Sequence, residues 1–123
     1  MRVLIVETTL FAPWYFVSVE SGYEAFVEIK NNTSVSISVT VSALTPGGNA
    51  AGSGAKTITL AANGNIAIAV GATFGITTGN GGLQIASNAA PGGVTANVTT
   101  LSTMTGLSFD SPAAPRMVWS LFQ

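Results

Sequence analysis

Ser34-Val35-Ser36-Ile37-Ser38-Val39-Thr40-Val41-Ser42 alternates β-branched apolar residues with hydroxyl residues without a break. Successive side chains of a strand point to opposite faces, so a period of two reads as a half-buried β-strand. Val35, Ile37, Val39 and Val41 fall on the face predicted to be buried. Ser36, Ser38, Thr40 and Ser42 fall on the face turned to solvent or to a neighbouring subunit. Asn31-Asn32 before the run and Pro46-Gly47-Gly48-Asn49 after Leu44 are turn chemistry.

Working outward, Tyr23 to Lys30 alternates again, with Tyr23, Ala25, Val27 and Ile29 opposed to Glu24, Glu28 and Lys30. Joined through Asn31-Asn32-Thr33, the two runs are predicted to form a hairpin. Lys56 to Leu60 and Ile66 to Val70 flank Asn63-Gly64, a step that suits positive φ, and predict a second hairpin. Gly75 to Gly82 reads as turns, Leu83 to Ser87 as a short strand, Ala90-Pro91-Gly92-Gly93 as a turn, and Val94 to Leu101 as another strand. Val3 to Val6 and Trp14 to Val17 are continuous apolar runs, expected as strands covered on both faces. No amphipathic helix of useful length is visible, although a short one within Leu10 to Phe16 or near Ala72 to Phe74 stays open. The spacing of turns predicts an all-β, single antiparallel β-sandwich, jelly-roll-like or immunoglobulin-like, of about 7–9 strands.

At 123 residues the chain has the length of one domain. Within it, 112–123 reads as a Pro-delimited apolar terminal strand or tail. Arg116-Met117-Val118-Trp119-Ser120-Leu121-Phe122-Gln123 calls for burial, either in the domain's own sheet or on a neighbouring subunit by strand addition. Met117, Val118, Trp119, Leu121 and Phe122 are therefore the candidate assembly residues.

Only 7% of the residues are charged and the net charge is -1, so neutral hydroxyls and amides must do the solvating, and long-range repulsion between copies is weak. The four cations, Arg2, Lys30, Lys56 and Arg116, are scattered, which argues against nucleic acid as a partner. With no cysteine and no histidine the chain lacks disulfides, thiolate chemistry, the usual proton shuttle and the usual soft metal ligands. Despite a mean hydropathy of +0.51, no stretch reaches the length of a membrane-spanning helix, so no membrane insertion is expected. Glu7 interrupts the apolar opening before it reads as a signal peptide; for an exported protein the expectation is a signal removed from this sequence or lying on a longer parent chain.

The acids available for general acid or base work are Glu7, Glu20, Glu24, Glu28 and Asp110. Glu24 and Glu28 share a strand face four residues apart, roughly 13 Å at about 3.3 Å per residue, too far for a glycosidase pair. They read as solvated strand residues. The many Ser and Thr residues have no base beside them to make a nucleophile. Thr78-Gly79-Asn80-Gly81-Gly82 and Gly47-Gly48 lack the helix and lysine of a phosphate loop and read as turns. Asp110 between Ser108 and Ser111 reads as a capped turn before Pro112, since one carboxylate is too little charge for calcium. No enzyme, cofactor or metal is expected. Trp14, Tyr15, Phe16, Tyr23 and Phe26 divide between two roles: core, the better reading for an apolar run, or a platform on which Trp14, Tyr15 and Tyr23 stack on sugar rings.

The order of these features carries a resemblance. Trp14-Tyr15-Phe16 precedes a Gly22-Tyr23-Glu24-Ala25-Phe26 strand ending in Ile29-Lys30-Asn31-Asn32-Thr33. There follow a long alternating strand, a Pro-Gly-Gly turn, Thr57-Ile58-Thr59-Leu60-Ala61-Ala62-Asn63-Gly64, an Ile/Ala strand, Leu83-Gln84-Ile85-Ala86-Ser87 and a Pro91 turn. Over roughly Glu7 to Leu101 this resembles the β-sandwich modules of prokaryotic surface proteins related to the sensory rhodopsin transducer family. The resemblance implies an antiparallel sandwich that binds or assembles, with no catalytic motif. The charge poverty and the apolar tail depart from that pattern, and the signalling role is not carried over.

Together these readings predict a non-enzymatic structural subunit at the cell surface or outside the cell, whose partners are copies of itself in a homo-oligomer, filament or shell. The alternative is a carbohydrate-binding or adhesion module.

Overall fold

The computed structural model describes residues 2–90 and 92–121, without the side chains of 2–7 and 116–121. In chain order the strands are β1 (Arg2–Ser18), β2 (Tyr23–Asn31), β3 (Ile37–Ala43), β4 (Lys56–Leu60) and β5 (Asn65–Ala69). A helix of one turn, α1 (Val70–Phe74), precedes β6 (Thr78–Ser87), β7 (Val94–Ser102), β8 (Ser108–Pro112) and β9 (Ala114–Leu121). Every pairing is antiparallel. The ladder runs β4-β3-β6-β1-β2-β7-β8, with β9 on β1 and β5 on β2.

The joint between β1 and β2 is a single pair, Ser18 opposite Tyr23, so the ladder folds over at that point. Two layers result: β4-β3-β6-β1-β9 and β5-β2-β7-β8. Their inward positions meet in one core. Val39, Val41, Leu83, Ile85, Tyr15 and Val17 come from the first layer, and Ala25, Val27, Ile29, Ile68 and Val98 from the second. Each Val, Leu or Ile removed from water here is worth about 1.5–3 kcal/mol. The alternation of β2 and β3 is the one expected, apart from two residues. Val35 lies before β3 begins and is exposed, and Tyr23 at the start of β2 is only half-buried.

The two expected hairpins are corrections. Among the described residues β2 does not pair with β3, nor β4 with β5; β2 lies between β5 and β7, and β4 pairs with β3. The turn residues are where the sequence puts them, with Asn63 at φ 58, but they bend the chain from one layer to the other. Asn31 is the pin. Its buried amide donates to the carbonyls of Val35, Leu60 and Ala61 at 2.8, 3.3 and 3.0 Å, and its Oδ1 accepts from the Thr33 backbone N–H and hydroxyl. One side chain thus ties the β2–β3 corner to the β4–β5 corner. Gly64 O receives the Asn31 N–H at 2.8 Å and closes the same knot.

Thr78 to Gly82 is also corrected, from turns to the first half of β6, paired with Tyr15 to Ser18 of β1. Gly81 stands at φ 149, and a Cβ there would lie 1.8 Å from the Leu44 carbonyl oxygen. Close passage of the Leu44 loop, rather than turn formation, calls for glycine at this position. Ser108 to Pro112 is strand β8 rather than a capped turn. Of the two open places for a short helix, the second holds α1. It lacks a side-chain cap of its own residues and receives instead the Glu24 carboxylate, which accepts the Gly71 N–H at 2.8 Å.

The terminal segment pairs within the chain's own ladder: Arg2 to Val6 lie opposite Leu121 to Met117. Among the described residues this end of β1 has no strand other than β9 beside it. Phe122 and Pro91 lie outside the described residues, as do the side chains of Met117, Val118, Trp119 and Leu121.

Candidate functional site

A β-bulge in β1 decides which aromatics face outward. Ala12 sits opposite Leu83 and Tyr15 opposite Gly81, so three steps on β1 match two on β6. The extra residue, at Pro13-Trp14, reverses the inward parity set by Leu10 and Ala12. Tyr15 and Val17 therefore point inward and are 1% exposed, while Trp14 is 40% exposed. Pro13, which has no N–H to give a ladder, tolerates this break.

Tyr15 is thereby removed from the stacking candidates: its ring is in the core and its hydroxyl donates to Leu44 O at 3.1 Å. Burial pushes its pKa above the ordinary 10.0. Trp14, in turn, is not core. Its ring lies nearly parallel to that of Phe16, at 9° and 6.2 Å between centroids, and meets the edge of Phe109 at 6.1 Å. Phe16 continues the chain of rings to Tyr23 at 5.1 Å.

The apolar surface spreads from these rings. Val19, Met104, Leu107 and Phe109 are all about half exposed or more, and with Trp14 they make five of the six large hydrophobic residues exposed among those described; Val35 is the sixth. Val19, Met104 and Leu107 belong to two adjoining turns, while Trp14 lies in β1 and Phe109 in β8. The β1–β2 turn carries Val19, and Gly22 in that turn accepts the Thr103 N–H at 2.9 Å through its carbonyl oxygen. An added Cβ on Gly22 would lie 2.6 Å from Met104 Cγ, so the β7–β8 turn rests directly on it. Glu20, exposed in the first turn, is the charged residue at the edge of this patch. Met104, Leu107 and Phe109 escaped the sequence reading because they follow no alternation. The signal was there all the same: Met104 and Leu107 are large apolar residues in a Thr/Gly-rich turn segment, and Phe109 follows at once at the start of β8.

Among the described residues the acids do not converge on one another. Glu24 takes the Gly71 and Ala25 N–H groups, at 2.8 and 2.9 Å, and is a brace between β2 and α1 instead of a solvated strand residue. Asp110 Oδ1 accepts from the Thr99 hydroxyl at 2.7 Å and from the Asn97 amide at 3.4 Å. Glu28 stands on the outer face of β2, and the side chain of Glu7 lies outside the described residues. No group of three or more metal-ligating side chains forms among the described residues. No helix among them is long and apolar enough to cross a membrane. No protein-family model, curated protein or solved structure matches the chain.

Proposed function

We propose that this chain is a non-enzymatic structural subunit that associates with copies of itself, through its sandwich ends and edges, into an extracellular fibre, surface layer or shell. The observation that carries this reading is the apolar patch around Trp14 and Phe109, built from aromatic and methionine side chains on a protein of almost no charge. Interface centres are enriched in those residue types and depleted of charge. A net charge of -1 gives two copies little reason to stay apart. The pairing of Val3 to Val6 with Met117 to Val118 and their neighbours adds a two-stranded segment with apolar residues at both parities. Such a ribbon is marginal in water by itself.

Sedimentation velocity over a wide concentration range tests the reading. The wild-type chain is expected to associate as concentration rises. The double variant Trp14→Ser/Phe109→Ser is expected to raise the dissociation constant about tenfold or more, as loss of interface aromatics does. A wild-type chain that stays monomeric up to millimolar concentration overturns it. The second reading, a carbohydrate-binding module, is favoured by a different face of the molecule.

A further inference from the structure

The two outer faces of the sandwich differ in chemistry. On the first layer, the strand that first reveals the fold presents Ser38, Thr40 and Ser42, with Thr57 and Thr59 beside them on β4. On the second layer, the face formed by β5, β2, β7 and β8 holds Glu24, Glu28, Lys30 and Asp110. These are four of the six charged side chains that the structure describes. Glu24 and Asp110 are used in internal hydrogen bonds. Glu28 and Lys30 are not: among the described residues neither has a side-chain hydrogen bond or an ion-pair partner, and both are exposed. In a chain that solvates itself with hydroxyls, an unpaired carboxylate and ammonium side by side on one strand call for a reason.

They stand over an open depression of about 470 Å³. The register gives its plan. Lys30 has Asn65 on one side and Thr95 on the other, and Glu28 has Ala67 and Asn97. Glu28 and Lys30 are two residues apart on the same face, about 6.7 Å along the strand. The polar groups in reach are two amides, a carboxylate, a hydroxyl and an ammonium, with the small Ala67 leaving room between them. The Asn97 amide is already aimed by Thr99 and Asp110, at 3.3 and 3.4 Å, and the Thr95 hydroxyl by Asn32 at 3.2 Å. Half-buried Phe26 precedes Glu28 by two residues on the same face of β2, beyond the lining of the depression.

We infer that this depression binds a neutral oligosaccharide, with Glu28, Lys30, Asn65 and Asn97 holding its hydroxyl groups. A sugar hydroxyl both donates and accepts, which suits a site offering donors and acceptors at close spacing. One positive and one negative group at the centre give no net attraction for an anion or a cation, since either meets a like charge about 6.7 Å from its counter-charge. Ala67, the small residue between these groups, leaves room for the apolar C–H face of a pyranose. The site lies apart from the aromatic patch around Trp14, so it is independent of the assembly reading.

The test is a titration of the isotopically labelled full chain, followed by its backbone and side-chain amide resonances, with cellohexaose, laminarihexaose, chitohexaose and mannohexaose. At least one of these is expected to shift the resonances of Glu28, Lys30, Asn65, Ala67 and Asn97 saturably. The variants Glu28→Ala and Asn97→Ala are expected to weaken that binding at least tenfold while leaving the remaining spectrum native. Trp14→Ser is expected to bind as the wild type does. No shift with any of the four at millimolar concentration overturns the inference. So do shifts confined to Trp14, Phe16 and Tyr23, or saturable binding at these residues by glycine betaine and not by a sugar, which would make the Glu28 and Lys30 pair a zwitterion site.

Discussion

Asn31 shows how much of a fold one polar side chain can hold. It is fully buried, and its side chain bonds to the backbone of two separate segments, 33–35 and 60–61, and to the Thr33 hydroxyl. Asn31→Ala would take this amide from the carbonyls of Leu60 and Ala61, the second of which keeps the Gly64 N–H at 2.9 Å, and a buried polar group left without a partner costs about 1–3 kcal/mol. The expected outcome is a loss of about 2–4 kcal/mol, read as a lower urea midpoint at unchanged slope. Tyr15 offers a second test at this scale, through pH. Its raised pKa means that the folded chain keeps the phenolic proton when the unfolded chain has begun to lose it. The unfolded chain then binds fewer protons, so stability is full below about pH 10 and falls as the pH climbs above it. Tyr15→Phe is expected to cost about 0.5–1.5 kcal/mol at neutral pH, from the lost bond to Leu44, and to flatten the alkaline fall in melting temperature. An equally steep fall in the variant would assign it to other groups.

Strand identity was legible because it is a local property, whereas strand partnership was not. The period of two in Ser34 to Ser42 and Tyr23 to Lys30 reports a buried face whatever lies beside the strand. Asn31-Asn32-Thr33 and Asn63-Gly64 report a reversal, but a hairpin and a crossing between layers use the same residues there. The choice is made by Asn31 reaching Leu60 and Ala61, 29 and 30 residues away, which no window of sequence displays. The candidate patch was half legible for a similar reason. Trp14 was visible as an aromatic, but its outward direction depends on one extra residue in β1 relative to β6. Gly81 carries the prediction at this scale. Its positive φ and the Leu44 carbonyl, 1.8 Å from any added Cβ, both oppose a side chain. Gly54, also at positive φ but with nothing within 4 Å, faces the conformational term alone. Gly81→Ala is expected to destabilise by more than about 3 kcal/mol and Gly54→Ala by about 1–2 kcal/mol. Equal melting temperatures for the two variants would remove the close approach of the Leu44 loop as the reason for glycine.

For the whole molecule the scarcity of charge turns from an oddity of composition into a statement about how copies meet. Charge-driven assembly weakens with salt, because the screening length drops from about 10 Å at 0.1 M to about 3 Å at 1 M. Apolar assembly does not, and it weakens on cooling. The patch around Trp14, Met104, Leu107 and Phe109 has Glu20 at its margin and no cation among its residues, so it offers an ionic contact little to work with. The expected outcome is an association constant that is unchanged or higher in 1 M sodium chloride and lower near 4 °C than at 25 °C, measured by sedimentation equilibrium. A marked loss of association in salt would move the interface to the face carrying Glu28 and Lys30. Sugar binding and self-association would then compete for one surface, and adding the bound hexaose would dissolve the assembly. If the two faces act separately, the hexaose leaves the association constant unchanged, and each subunit in the assembly keeps its depression open to solvent.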